Sequence, residues 1–213
     1  MISLDEPAWP LVQQWLAEAT NDVEVLPPTD DAARERALHA TQVTTRSPMG
    51  AVIYESGGIL VDDGWIRILG SGHPRLPRSL PGWNLTRSIS GDGQVPPFLL
   101  IADDAIGGFF AIDGGGLGLD QGKVCYFAPD TLEWESMEVG YSDFLDWCFT
   151  GDLEGYYENV RWPGWRDEVR DVRGDQAISV YPYLSAEGPP IAERSRRPID
   201  VAEIYALYVG EPQ

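Results

Sequence analysis

Residues 98–113 read FLLIADDAIGGFFAID, two apolar runs joined by a short segment of acidic, small and glycine residues. The first run, residues 98–102, is apolar throughout, which is typical of a strand buried on both faces. Asp103-Asp104 ends this strand, and residues 108–112 form the next one. Two further β-rich runs follow, at 124–127 and 132–139. This block predicts a series of short strands.

Helix-like and strand-like segments alternate on both sides of this block. Apolar residues at helical spacing predict a first helix over about residues 5–20, and Thr29 can cap a second one. Asp62-Asp63-Gly64 is a hairpin-type turn. Further strands are predicted at 51–54, 59–61, 65–69 and 177–183. Further helices are predicted at 142–151, at about 152–159, from the end of the 161–165 segment to about residue 173, and at 198–208. The whole of residues 1–213 is interpreted as one α+β domain with a long loop at 70–97 and an extended C-terminal region.

The 213 residues include 15 Lys+Arg and 34 Asp+Glu, a formal net charge of −19. Hydrophobic residues make up 43%, which excludes a fully disordered chain. Since no apolar run reaches about 18 residues, we expect no membrane-spanning helix. The N-terminus is acidic and interrupted by Pro7. We therefore expect no secretory leader, reduced cysteines and a cytoplasmic protein.

Most of the acidity lies in residues 101–160, which hold 13 acids and one base, Lys123. Such a field repels phosphate backbones, so direct nucleic-acid binding is not expected, and it favours a cationic partner. A solvated acidic surface that only keeps the protein soluble is the alternative. The candidate partner-binding residues are Asp103, Asp104, Asp113 and Asp120, together with Asp62 and Asp63 of the hairpin turn.

The residues that usually carry catalysis form no recognisable pattern. The chain has two histidines, His39 and His73, no Gly-x-Ser-x-Gly motif and no Cys-x-x-Cys pair. Residues 115–120 match the opening of a calcium nonapeptide repeat, but the apolar position that should follow is Gly122, and such sites form by stacking several copies. We expect no catalytic residue, no metal site and no cofactor.

The loop at 70–97 carries three arginines against a single acid, Asp92. It contains His73, Arg75, Arg78 and Arg87 among glycine, proline and serine residues. Long loops in compact domains are often functional. These four side chains are a candidate anion-binding site, in which His73 or an acid from 103–120 would act as a base.

An ordered set of features spans residues 98–151. A buried strand ends in an acidic turn, two glycines open the next strand at Gly107-Gly108, and a Gly/Asp loop precedes a strand at 123–127. A helix then begins at Ser142. This order resembles the SUKH superfamily of SMI/KNR-type domains. The whole chain, including residues 63–72, looks like a bacterial family of unknown function within or beside that superfamily.

The resemblance implies an α+β domain with a bent, mainly antiparallel sheet of about six strands, flanked by helices at the N-terminus and after the sheet. It also implies a protein-binding role, since many bacterial members are thought to be immunity proteins that neutralise a toxin, often a nuclease. The first hypothesis is therefore a non-enzymatic module, a monomer or weak homodimer, that binds a basic protein. The alternative is a small-ligand-binding protein or enzyme that uses the 70–97 arginine loop.

Overall fold

A computed structural model describes residues 7–85, 87–89 and 95–210. Within these ranges the helices are α1 (Trp9–Glu18), α2 (Asp31–Thr41), α3 (Pro48–Glu55), α4 (Leu80–Asn84), α5 (Tyr141–Thr150), α6 (Leu153–Tyr156), α7 (Trp165–Arg170) and α8 (Val201–Tyr208). The strands are β1 (Val23–Leu26), β2 (Gly58–Val61), β3 (Ile66–Leu69), β4 (Phe98–Asp104), β5 (Phe109–Asp113), β6 (Val124–Ala128), β7 (Glu133–Ser136), β8 (Gln176–Tyr181) and β9 (Ser195–Asp200).

Strands β1 to β7 form one sheet in sequence order, and every neighbouring pair in it is antiparallel. A second sheet consists of β8 and β9. The prediction of an α+β fold, with an antiparallel sheet and helices at the N-terminus and after the sheet, is confirmed. The main sheet has seven strands rather than about six within the described residues.

The predicted strand at residues 51–54 is wrong, because this segment lies in α3. The Ser47 side chain accepts a hydrogen bond from the Gly50 amide, and Pro48 occupies the first turn, so the local start signal is helical. Residues 50–53 are all buried. A short apolar run buried on every side has no periodicity that distinguishes a helix from a strand.

Two strands are absent from the sequence-based prediction. β1 pairs with β2 at the edge of the main sheet, and β9 pairs with β8 where a helix was predicted to begin at residue 198. The burial pattern of β9 alternates between exposed and partly exposed residues, so its sequence, SRRPID, shows no apolar face. Pairing with β8, rather than local hydrophobicity, defines it as a strand.

The register of the main sheet assigns side chains to its two faces. Residues directly opposite one another on neighbouring strands share a face. Leu60, Arg67, Asp103, Phe109 and Phe127 form one such row, which we call the Asp103 face. A second row, called the Asp104 face, includes Ala102, Phe110, Tyr126 and Glu135.

Different elements cover the two faces. On the Asp103 face, the ring of Tyr205 in α8 lies 5.1 Å from the ring of Phe109. On the Asp104 face, the ring of Phe144 in α5 lies 5.0 Å from that of Phe110. Buried residues from both sheets belong to one hydrophobic cluster. In the described part of the chain, no helix combines the length and apolarity needed to cross a bilayer.

The segment at 70–97 is less irregular than predicted where the structure describes it. It contains the short helix α4, and Leu76, Leu80 and Trp83 are buried in the core. Residues 86 and 90–94 lie outside the described ranges. Residues 1–6 also lie outside them, and with them the predicted start of the first helix and the acidic stretch behind the expectation of no secretory leader.

Candidate functional site

Asp103 is bound by two arginines of its own chain. It is fully buried on β4, and Arg67 stands directly opposite on β3. Arg67 Nη2 lies 2.5 Å from one carboxylate oxygen, and Arg78 Nη1 lies 2.5 Å from the other. Both guanidinium groups are buried as well. The expectation that Asp103 contacts a protein partner at the surface is therefore wrong.

The two arginines link the Asp103 face to the C-terminal region. Arg67 also donates to the backbone oxygens of Asp104, at 2.8 Å, and of Gln176. Arg78 donates to the Gly174 oxygen through Nε at 3.0 Å and Nη2 at 2.8 Å. Burial lowers the pKa of Arg67, while the neighbouring Asp103 carboxylate opposes this effect. This network is structural, because every one of these contacts joins parts of the same chain.

Asp104 is also fully buried, on the opposite face. One carboxylate oxygen accepts the Ile106 and Gly108 amides at 3.0 and 2.7 Å. The other accepts the Tyr126 hydroxyl at 2.7 Å and the Tyr157 hydroxyl at 3.4 Å. Burial raises the pKa of Asp104, although these hydrogen bonds oppose the shift. It too is inaccessible to a partner.

Asp113 organises the glycine-rich loop after β5. Its Oδ1 accepts the Gly115 and Leu117 amides at 2.6 and 3.1 Å, and its Oδ2 accepts the Leu119 amide at 3.1 Å. Burial alone raises the pKa of Asp113, but these backbone donors outweigh it and the net pKa is lowered. Among the described residues, no group of three or more His, Cys, Asp or Glu side chains is arranged to hold a metal ion.

Asp62 and Asp63 of the turn between β2 and β3 form ion pairs with arginines of the segment that follows α6. Asp62 lies 2.7 Å from Arg161, and Asp63 lies 3.0 Å from Arg166 and 2.9 Å from Arg170. Arg161 in turn lies over the rings of the tryptophan cluster around Trp65. Of the six predicted partner-binding acids, Asp120 is the one that is exposed. The structure does not bring the six together.

The basic residues of the 70–97 loop are also not brought together, because each contacts different parts of the chain. Arg75 is exposed, pairs with Glu24 at 2.5 Å, and its amide donates to His73 Nδ1 at 3.1 Å. Arg87 lies 3.5 Å over the Trp83 ring and donates to the Trp83 oxygen at 2.8 Å. With Arg78 bound to Asp103, these side chains form no common anion pocket.

A surface cleft that was not predicted from the sequence lies on the Asp104 face beside β7. We call it the acid–aromatic cleft; its volume is about 320 Å³ and its lining is Tyr126, Glu135, Ser136, Met137, Val139, Trp147 and Tyr156. The rings of Trp147 and Tyr156 are 4.9 Å apart at 76°, and those of Tyr126 and Tyr156 are 6.0 Å apart. Tyr156 is 44% exposed.

Acidic residues lie near this cleft. Burial, followed by the charges of Asp104, Glu135 and Asp130, raises the pKa of Tyr156. All of residues 101–160 are described, and ten of their thirteen acids are exposed: Asp120, Asp130, Glu133, Glu135, Glu138, Asp143, Asp146, Asp152, Glu154 and Glu158. Most acids of residues 101–160 are therefore exposed, but of the four predicted from this segment only Asp120 is among them. Strand alternation within β7, with both glutamates exposed, is the local signal that could have located these two acids.

Comparison with known proteins assigns the chain to a family. A family model described as "Protein of unknown function DUF2625" matches residues 1–204. The chain belongs to the DUF2625 family. It is 48% identical over 207 residues to "Putative uncharacterized protein YbfG" of Escherichia coli (strain K12), covering 97% of this chain and 93% of that protein.

A second relative of this DUF2625 protein is an "Uncharacterized protein" of Haemophilus influenzae. The two are 41% identical over 212 residues, which is 99% of this chain and 92% of the relative. Both alignments cover nearly the whole of this chain. The resemblance to the SUKH superfamily stays a prediction.

Proposed function

We propose that this protein is a non-enzymatic binding module that holds a basic protein partner against the acidic surface of residues 101–160. The observation that carries the proposal is the exposure of ten of the thirteen acids in this segment, against the single base Lys123. A surface of one sign attracts a partner of the opposite sign over several ångströms and accelerates encounter.

The acid–aromatic cleft supplies aromatic side chains that can anchor a partner, which an acidic surface alone does not provide. Protein interfaces are dominated energetically by a few aromatic and arginine anchors surrounded by a polar rim. Trp147 and Tyr156 form the aromatic centre here, and Glu135 lies on the rim with Asp130 nearby. We place the centre of the interface at this cleft.

A toxin-neutralising immunity protein is the form of this function that the SUKH resemblance favours. Nuclease toxins have cationic clefts for phosphate, and an acidic protein can occupy such a cleft. Neutralisation of a toxin inside the producing cell would require a cytoplasmic protein, so that location belongs to the same proposal.

A second candidate function rests on a larger cleft on the Asp103 face. Its volume is about 650 Å³, and it is bordered by Arg75 and Pro77 of the 70–97 loop, by Val172 and by the buried Arg67. Within the described residues, Arg67 Nε has no hydrogen-bond partner. A small ligand with an acceptor group could enter there. The rim arginines, however, are already paired with carboxylates, as Arg75 is with Glu24.

The test compares three forms of the protein as bait in lysate of the source cell. The face variant is Glu133→Gln with Glu135→Gln on β7, and the control is Glu18→Gln with Glu35→Gln, which changes the charge equally at exposed positions of α1 and α2. Captured proteins are identified by mass spectrometry, and the affinity of the purified partner is measured at several salt concentrations.

We expect one basic protein to be retained by the wild type and the control, and to bind the face variant at least tenfold more weakly with a shallower salt dependence. Equal affinity of all three forms would move the interface away from β7. Retention of no basic protein by the wild type, at low or moderate salt, would overturn the proposed function and favour the ligand-binding candidate.

A further inference from the structure

The acid–aromatic cleft has the chemistry to recognise one particular side chain. We propose that it receives the guanidinium group of an arginine presented by the partner. The inference rests on the proposed function and names the group that the partner inserts. It makes the cleft selective for arginine over lysine, which a diffuse acidic surface is not.

The chain itself uses the same combination of groups at other places. Arg161 lies 4.1 Å over the Trp165 ring and 2.7 Å from the Asp62 carboxylate. Arg196 lies 4.6 Å over Trp162 and 3.2 Å from Glu168. A third example joins Arg34 to the Tyr54 ring and to the Asp31 carboxylate. In each case one guanidinium contacts both an aromatic face and a carboxylate.

The acid–aromatic cleft contains the ring and the carboxylate without the arginine. In the part of the chain that the structure describes, no arginine lies over Trp147, Tyr126 or Tyr156, and Glu135 makes no ion pair. A cation that completed the same arrangement here would come from outside the molecule.

The shape of the cleft suits a planar cation on an apolar stem. A volume of about 320 Å³ is at the lower end of small-molecule sites, which fits one side chain rather than a helix or strand. The rings of Trp147 and Tyr156 meet at 76°, so a guanidinium stacked on one ring directs its edge at the other. Met137 and Val139 offer apolar surface to the side-chain stem.

Arginine fits better than lysine for two reasons. Its planar fork of N–H donors matches a carboxylate such as Glu135 bidentately, and it is more weakly hydrated than an ammonium group, so transfer to an aromatic surface costs less. The floor is held in place, since the Tyr126 hydroxyl donates to the buried Asp104 at 2.7 Å. The cleft is therefore formed before the partner arrives.

The experiment uses acetylated and amidated hexa-arginine and hexa-lysine, which have equal charge, as probes of the full chain. Affinities are measured by calorimetry at low salt for the wild type, Tyr156→Leu, Glu135→Gln and the control Tyr183→Leu. Leucine keeps apolar volume but removes the aromatic face, and Tyr183 is 38% exposed on another part of the surface. Urea unfolding verifies that each variant is folded.

We expect the wild type and Tyr183→Leu to bind hexa-arginine at least tenfold more tightly than hexa-lysine, and Tyr156→Leu and Glu135→Gln to bring the ratio close to one. Equal binding of the two peptides by the wild type would overturn the arginine site and leave the charge-based function standing. A preference that persists in Tyr156→Leu would also overturn it. Binding of neither peptide would overturn both proposals.

Discussion

The carboxylates of Asp103 and Asp104, consecutive residues of β4, lie on opposite faces of the main sheet and in different electrostatic surroundings. Asp103 is in contact with two guanidinium groups, those of Arg67 and Arg78. Asp104 is in contact with uncharged donors, the Tyr126 and Tyr157 hydroxyls and two amides. Strand alternation causes the separation, and the consequences for stability differ accordingly.

Asp103→Asn leaves two buried arginines without a counter-charge. We expect it to lower the free energy of unfolding by about 3–5 kcal/mol, the usual cost of removing one partner from a buried ion pair. Urea unfolding at pH 7 measures the loss. The exposed Asp120→Asn serves as the control and is expected to stay within about 0.5 kcal/mol of the wild type. A loss below about 1 kcal/mol in Asp103→Asn would contradict the buried network.

Asp104→Asn has a smaller expected cost at pH 7, at least about 2 kcal/mol less than Asp103→Asn, because it removes a charge that burial disfavours. Burial raises the pKa of Asp104 above its unfolded value. The stability that this group contributes is therefore present below pH about 4 and is lost as the pH rises through the folded pKa. The unfolding free energy of the wild type minus that of the variant should therefore decrease as the pH rises from 4. An increase would contradict a raised pKa for Asp104.

Asp113→Asn tests the opposite linkage. Burial raises the pKa of Asp113, but the loop amides overcome this and lower it below the unfolded value. Its contribution is present above pH about 4 and is lost as the pH falls through the folded pKa. We expect the variant to be destabilised by about 1–3 kcal/mol at pH 7 and the gap from wild type to narrow below pH 4. A gap that is independent of pH would show that the carboxylate charge is irrelevant to the loop.

Both cysteines should be unreactive in the native protein. Cys125 on β6 and Cys148 on α5 are fully buried, and burial raises the pKa of the Cys125 thiol to about 11 and that of Cys148 well above its usual value. At pH 8 an aromatic disulfide reagent should label neither thiol without urea and both in unfolding concentrations. Rapid labelling of one native thiol would reveal local opening of its element.

The acidity of the candidate site could be predicted from the sequence, but which acids lie at the surface could not. The acidity of residues 101–160 is a property of composition, and it persists at the surface because most of those acids stand in turns or on the outward positions of β7, α5 and α6. The choice of Asp103, Asp104 and Asp113 as surface residues fails because acids that end strands are also the ones best placed to accept buried donors.

The acid–aromatic cleft has no local signature. Its Tyr126, Glu135, Trp147 and Tyr156 come from β6, β7, α5 and α6. Aromatic residues in such elements are ordinarily interpreted as core, and Trp147 does contact the Phe110 and Phe144 rings. The cleft exists only where these four elements meet, which no short segment encodes.

The sequence by itself determined the α+β class, the strands that begin with residues 98–113 and the net acidity of the segment around them, because period, turn residues and composition are local properties. Only the tertiary structure decided that residues 50–53 are helical, that β9 is a strand, and which acids are buried with arginines and which face the solvent. Those outcomes depend on pairing and burial between residues as far apart as Arg78 and Gly174, whose contact arises only once the chain has folded.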